Sequence, residues 1–238
     1  MNIKLYLYVK KQKLSRYLAL KLARNRSFSA MQLMLKTLRT NKMLPEKLIA
    51  LDLFGFIGTT TTMDYAPLTE YLEMWEIDPY YAEEAKKNLP NANVVCGDSI
   101  NAIKTGQLHR KEYNFIVIDA NASSSFSDGS YESFGVFPHA LNYIAQEAVI
   151  FVTIFSDLRE ITNLYGGSIE QLDPNWIKAR KDFYQVENVI DARGIDYLKG
   201  FELIIKEKNI DLIHSQFINR NDSVGFGVFV VKKSKRLC

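Results

Sequence analysis

Four carboxylates stand at, or one or two residues past, the ends of apolar runs: Asp52, Glu76, Asp98 and Asp119. An acid at the tip of a buried strand is placed to accept hydrogen bonds from ligand hydroxyl or amino groups. In a parallel α/β sheet, ligands bind beyond the carboxyl ends of the strands. One or two acids there would be unremarkable; four in succession point to one binding edge. Between the first two runs lies Leu51-Asp-Leu-Phe-Gly-Phe-Ile-Gly58. Gly55 and Gly58 suit a tight turn. Phe56 between them, with no basic residue nearby, suits a pyrophosphate poorly, because that group needs bare backbone at a helix N-terminus. A ligand with ribose and adenine but no phosphate fits better, and S-adenosylmethionine has that chemistry.

The elements that must position these acids follow from hydrophobic periodicity. Buried strands are expected over 48–54, 71–77, 93–96, 113–118 and 148–155. Helices are expected over 79–88, with Pro79 in the first turn, from Ser99 to Lys104, over 131–146, around 176–183 and over 186–208. The threonine run after Gly58 suits a helix start. A serine-rich loop spans 120–130, and the irregular stretch 156–185 is expected as an insertion over the site. Ile210–Ile218 and Val224–Val231, joined by Asn219-Arg-Asn-Asp222, have hairpin chemistry. The expected architecture is therefore α/β: a seven-stranded, mostly parallel sheet with a C-terminal antiparallel hairpin.

With 238 residues, 47% of them hydrophobic, the chain can bury a full-sized core. Two cysteines, Cys96 and Cys238, imply no disulfide framework, and no apolar run reaches membrane-spanning length. A reducing, cytoplasmic setting is expected. Residues 1–45 carry eleven Lys or Arg and no acid. Residues 46–231 hold fifteen bases against all 27 acids, so a basic head precedes an acidic body of charge about −12. The head reads as two amphipathic helices, the second beginning near Ser27 or Ser29. It forms a lid on the domain, a patch for RNA phosphates or a contact for an anionic membrane surface. Its lack of acids is also compatible with an organellar targeting peptide. The domain proper is expected over 46–238.

The matches LDLFGFIG, WEIDP, VVCGDS and FIVIDAN, with the strand layout, resemble the class I, Rossmann-like, S-adenosylmethionine-dependent methyltransferases. The resemblance is clear over 47–155 and continues by layout over 187–233. It departs from the family pattern where Phe56 replaces the usual middle glycine. It implies S-adenosylmethionine as cofactor, with Asp52, Phe54, Gly55, Phe56 and Gly58 near its methionine part and Glu76 on the ribose hydroxyls. Asp98 and Ser99 would meet the adenine, flanked by Ile77 and Cys96, with a core position as the other reading of Cys96. Asp119 would face the transferred methyl, as acceptor contact or base. His139 is a second candidate base, ahead of His109 and His214. Asp157 could face the acceptor or cap a helix, and with Asn121 it leaves metal-dependent O-methyl transfer open, though no metal is expected. Asp119 is not followed by a Pro-Pro-Tyr signature of amino transfer to bases, nor by the acid pair of aminopropyl transferases. RNA is the first expected acceptor. A small molecule, glycan or lipid head group is the alternative, as is a non-catalytic binding protein.

Overall fold

A computed structural model describes residues 29–120, 133–158, 173–190, 192–221 and 224–234. Seven strands form one sheet: β1 (Leu48–Asp52), β2 (Thr69–Glu76), β3 (Asn93–Cys96), β4 (Tyr113–Ile118), β5 (Ile144–Phe155), β6 (Ile210–Asn219) and β7 (Val224–Lys233). Their order is β3-β2-β1-β4-β5-β7-β6. The first five run parallel, and β7 is antiparallel to both β5 and β6. The expected sheet is thus the observed one. Phe155 pairs with Val224, which brings the turn between β6 and β7 to the edge where the parallel strands end.

Both faces of the inner strands are buried, as a parallel sheet requires. One face carries α1 (Ala30–Thr40), the single-turn α2 (Thr62–Tyr65) and α3 (Pro79–Asn88). Here Met31, Met34, Leu35 and Leu38 pack in one cluster with Leu48, Ala50, Met74, Phe115 and Phe151. Their spacing of three and four residues puts them on one stripe of α1. The other face carries α4 (Ser99–Thr105), α5 (Phe137–Ala140), α6 (Pro174–Tyr184) and α7 (Leu198–Glu207). Ile103, Phe137, Tyr184 and Phe201 pack there with Leu51, Ile116, Ile150 and Phe229.

The crossover from β1 to β2 is short, and its only α-helix is the single turn α2. Helix α1 covers the sheet face beside it. The second half of the basic head is therefore part of the core; residues 1–28, where its first helix was expected, lie outside the described residues. Ser29 caps α1 by accepting a bond from the Gln32 N–H at 3.0 Å.

Helix α3 and strands β3 and β4 occupy the expected residues. Three expectations need correction. The helix expected over 131–146 is a four-residue α5 between two 3₁₀ turns, and β5 begins at Ile144. The long β7 explains this, because it pairs with β5 back to Glu147 and keeps that end of the chain extended. The helix expected over 186–208 is realised only as α7, 198–207. Asp196 accepts from the Arg193 N–H at 3.0 Å in a turn instead, and a Cβ at Gly194 would strike the Phe217 ring at 2.0 Å. Strand β1 stops at Asp52, short of 54, where the glycine turn takes over. Residues 121–132 and 159–172, most of the expected serine loop and half of the expected insertion, lie outside the described residues.

Candidate functional site

Asp52 ends β1 and turns inward. It is 1% exposed. Its Oδ2 accepts from the Tyr65 hydroxyl at 2.5 Å and the Thr62 hydroxyl at 2.8 Å, and its Oδ1 from the Phe54 N–H at 3.2 Å. Burial pushes its carboxyl up to about 6, against these hydrogen bonds, and the charge of nearby Asp119 adds to the rise. Asp52 thus braces the glycine turn against α2.

In that turn, a Cβ at Gly55 would lie 2.2 Å from the Met74 side chain. Gly58 has φ +70°, the left-handed region. Phe56 also has a positive φ, 52°. The backbone keeps a shape glycine would adopt freely, although a bulky residue occupies it. Its ring does not pack into the core: it is half-buried, with its centroid 4.5 Å from that of Tyr81. In the same loop the Thr59 hydroxyl oxygen is buried and has no hydrogen-bond partner.

Glu76 ends β2 and is half-buried. Its Oε1 accepts from the Asp78 N–H at 2.8 Å, and the backbone N–H groups of Phe56 and Ile77 also donate to its carboxylate. Burial raises its affinity for a proton, opposed by those backbone bonds. The glycine turn and the end of β2 are thus stitched together at this carboxylate. Ile77 is 68% exposed beside it. One strand over, Gly97 donates its N–H to the Glu76 carbonyl at 2.9 Å. Asp98 then caps α4 through Oδ1, which accepts from Ile100 and Asn101 at 2.9 and 3.1 Å. Ser99 is buried, and Cys96 is exposed. Asp52, Glu76, Asp98 and Asp119 therefore share one sheet edge.

Asp119 is the most heavily engaged of the four. It accepts from the Thr61 hydroxyl at 2.7 Å and the Thr153 hydroxyl at 2.5 Å. Arg220 Nη1 reaches both its oxygens at 3.0 Å from the turn between β6 and β7. Beside this pair Asp64 accepts from Ser29 and, at 2.9 Å, from Gln32, and the Arg220 charge acts on it too. One short segment, Thr61 to Tyr65, thereby ties together the tips of β1 and β4, strand β5, the hairpin and the start of α1. The sequence reading missed Arg220, because Asn-Arg-Asn-Asp was explained fully as a hairpin turn. A partner 101 residues away leaves no local pattern.

The histidines are elsewhere. His139 on α5 lies near Lys104, in the last turn of α4, and Lys208, just before β6 begins. That is the edge where the parallel strands start, opposite the four acids. Burial, and then the charges of the two lysines, lower the affinity of its imidazole for a proton. His109 adjoins Asn93, and His214 sits on β6 near Gln216. Asp157 follows β5 at the acidic edge; Asn121 lies outside the described residues. Among the described residues no three His, Cys, Asp or Glu side chains converge as a metal site, and no helix is long and apolar enough to cross a membrane.

Comparison with known proteins adds the fold's identity. No family model matches the chain, and no curated protein sequence does. Solved structures do. Trm1 from Pyrococcus horikoshii, solved with S-adenosyl-L-methionine, superposes with a TM-score of 0.57 at 13% identity, covering 87% of this chain and 55% of that one. The plantazolicin methyltransferase BpumL, solved with the demethylated product SAH, gives 0.57 at 16% identity over 94% and 90% of the two chains. A TehB-like S-adenosylmethionine-dependent methyltransferase from Corynebacterium glutamicum gives 0.51 at 16% identity over 94% and 97%. At such identities the likeness is one of fold. With the strand order and the C-terminal hairpin, it shows that this chain has the Rossmann-like fold of class I methyltransferases.

Proposed function

We propose that the protein is an S-adenosylmethionine-dependent methyltransferase acting on RNA in a reducing, cytoplasmic setting. The observation that carries the enzyme reading is Glu76: a half-buried carboxylate, held by backbone N–H groups, at the end of β2 in a methyltransferase fold. Its chemistry suits a pair of ribose hydroxyls. Asp98 and Ser99 stand one strand further, on the adenine side. The orphaned Thr59 hydroxyl gives the glycine loop a polar group still to be satisfied. No basic side chain stands in that loop, which suits an adenosine without phosphates. The cofactor would supply a methyl group already activated on a sulfonium, so the protein's task is mainly positioning.

Asp119 serves that task better than proton abstraction. Two hydroxyls and a guanidinium already engage its carboxylate, so its oxygens are held by its own chain rather than open to an acceptor's proton. It fixes the acceptor side of the edge, with Arg220 as its positioning residue. His139, on the opposite edge, has no part in this assignment.

RNA as acceptor rests on charge and on where the charge enters. The 28 residues before Ser29 carry eight Lys or Arg and no acid. They join the described fold at Ser29, which bonds to Asp64 beside Arg220 and Asp119. A polyanion held by that stretch would lie near the acceptor edge. The test is RNA binding across a salt series, using the full chain and a full-length variant with those eight bases changed to Gln. Removing residues 1–45 instead would strip Met31, Met34, Leu35 and Leu38 from the core. Binding that weakens steeply with salt in the wild type and collapses in the variant supports RNA. Equal binding by both removes RNA, and binding to anionic vesicles alone points to a lipid surface.

A further inference from the structure

We infer that Phe56, Tyr81 and Tyr80 form a stacking platform for an unpaired base of a single-stranded nucleic acid at the rim of the site. This rests on the RNA reading above and gives that site a base contact.

Two independent observations carry it. The first is conformational. Phe56 holds φ 52°, a region that bulky residues rarely enter and that glycine enters without penalty. Strain of this kind concentrates where function requires it. Core packing does not account for the ring, because Phe56 is only half-buried.

The second is geometric. The Phe56 and Tyr81 centroids are 4.5 Å apart with rings inclined at 58°, and Tyr81 and Tyr80 follow at 5.7 Å and 64°. Three rings in sequence thus run outward from the glycine turn to solvent, where Tyr80 is 68% exposed with Ile77 equally so. Asp78 fixes the outer two by accepting from the Tyr80 and Tyr81 N–H groups at 2.8 and 3.4 Å. Further along α3, Glu83 and Glu84 are each paired at 2.7 Å, with Lys86 and Lys87, which offsets these two acids; Asp78 and Glu76 stand at the inner end of the rings, so stacking rather than phosphate attraction is what this face offers. An exposed ring such as Tyr80, backed by two half-buried ones, offers a π-face without a hydrogen-bond code and suits sequence-tolerant base stacking.

The test separates stacking from charge. The full chain is titrated with a single-stranded adenine-bearing RNA of about ten nucleotides and with an abasic strand of the same length and charge. The wild type should bind the base-bearing strand about tenfold tighter. Tyr80→Ala and Phe56→Gly should each bring that ratio close to one while leaving the salt slope unchanged. Phe56→Gly should also unfold at the same or a higher temperature, since the strained backbone is relieved. Equal wild-type affinity for both strands would overturn the platform and leave the RNA reading standing. Binding to neither would overturn both. A ratio that survives both substitutions, or substitutions that instead abolish S-adenosylmethionine binding, would reassign the rings to packing or to the cofactor.

Discussion

Of the three acids on strand β2, Glu70, Glu73 and Glu76, the last two have opposite fates. Glu73 is fully buried. It accepts from the Tyr113 hydroxyl at 2.5 Å, Trp75 Nε1 at 2.8 Å, the Tyr71 hydroxyl at 3.2 Å and the His109 N–H at 3.2 Å. These donors come from β2 itself, from β4 and from the loop before β4. Glu73 is a closed hub, and its job is to pin that loop to the sheet. Glu76 sits at the strand's end, half-buried, with its described donors all backbone N–H groups of adjoining turns. One acid is surrounded by its own chain; the other is held in place at a rim. Burial and saturation together mark Glu73 as a structural carboxylate, whereas fixation with residual exposure is what the proposed ribose contact at Glu76 requires.

That contrast can be broken experimentally. The largest effect is expected at Glu73. Glu73→Leu would leave several buried donors without an acceptor and should cost about 3 kcal/mol or more. For a chain of this size that lowers the melting temperature by roughly 10 °C, with cofactor affinity unchanged at a temperature where the variant stays folded. A small loss of stability would deny Glu73 its structural role.

Next comes Asp52. Its folded value of about 6 lies above the ordinary 3.8. The group therefore favours folding below pH 4, and this contribution is lost as pH rises through 6. The loss is worth about 3 kcal/mol across the window. Chemical denaturation at pH 4 and pH 7 should show Asp52→Asn closing on the wild type, or passing it, at the higher pH. A difference independent of pH would contradict the burial of that charge.

Arg220 and Asp119 should show a smaller effect, because both are partly exposed. A double-mutant cycle with Arg220→Ala and Asp119→Ala should give a coupling of about 1 kcal/mol in stability. No coupling would free Asp119 for the role of base.

Much of the framework was legible in the sequence because local chemistry coincided with burial. Helix 79–88 has Asp78 as cap, Pro79 in its first turn and an alanine stripe facing the sheet. Strand 113–118 is an apolar run enclosed on both faces, from Tyr113 to Ile118. The acidic edge followed from these strands. What escaped was long-range. Nothing local shows that Arg220 would cross to Asp119, or that Glu73 would be enclosed by Tyr113 and His109. His139 looked available only because the helix carrying it was read as long and its end of the sheet was not fixed. The helix expected over 186–208 failed because Gly194 is held against Phe217 by tertiary packing, which periodicity cannot report.

The central claim is that Glu76 is the ligand-facing acid of this sheet, and calorimetry tests it most directly. S-adenosylmethionine and its demethylated product are titrated into the wild type and into Glu76→Ala. Binding in the micromolar range, about −8 kcal/mol, is predicted for the wild type, with at least a tenfold loss in a variant that melts within a few degrees of it. Equal affinity in the two proteins, or no binding by the wild type, would contradict the account.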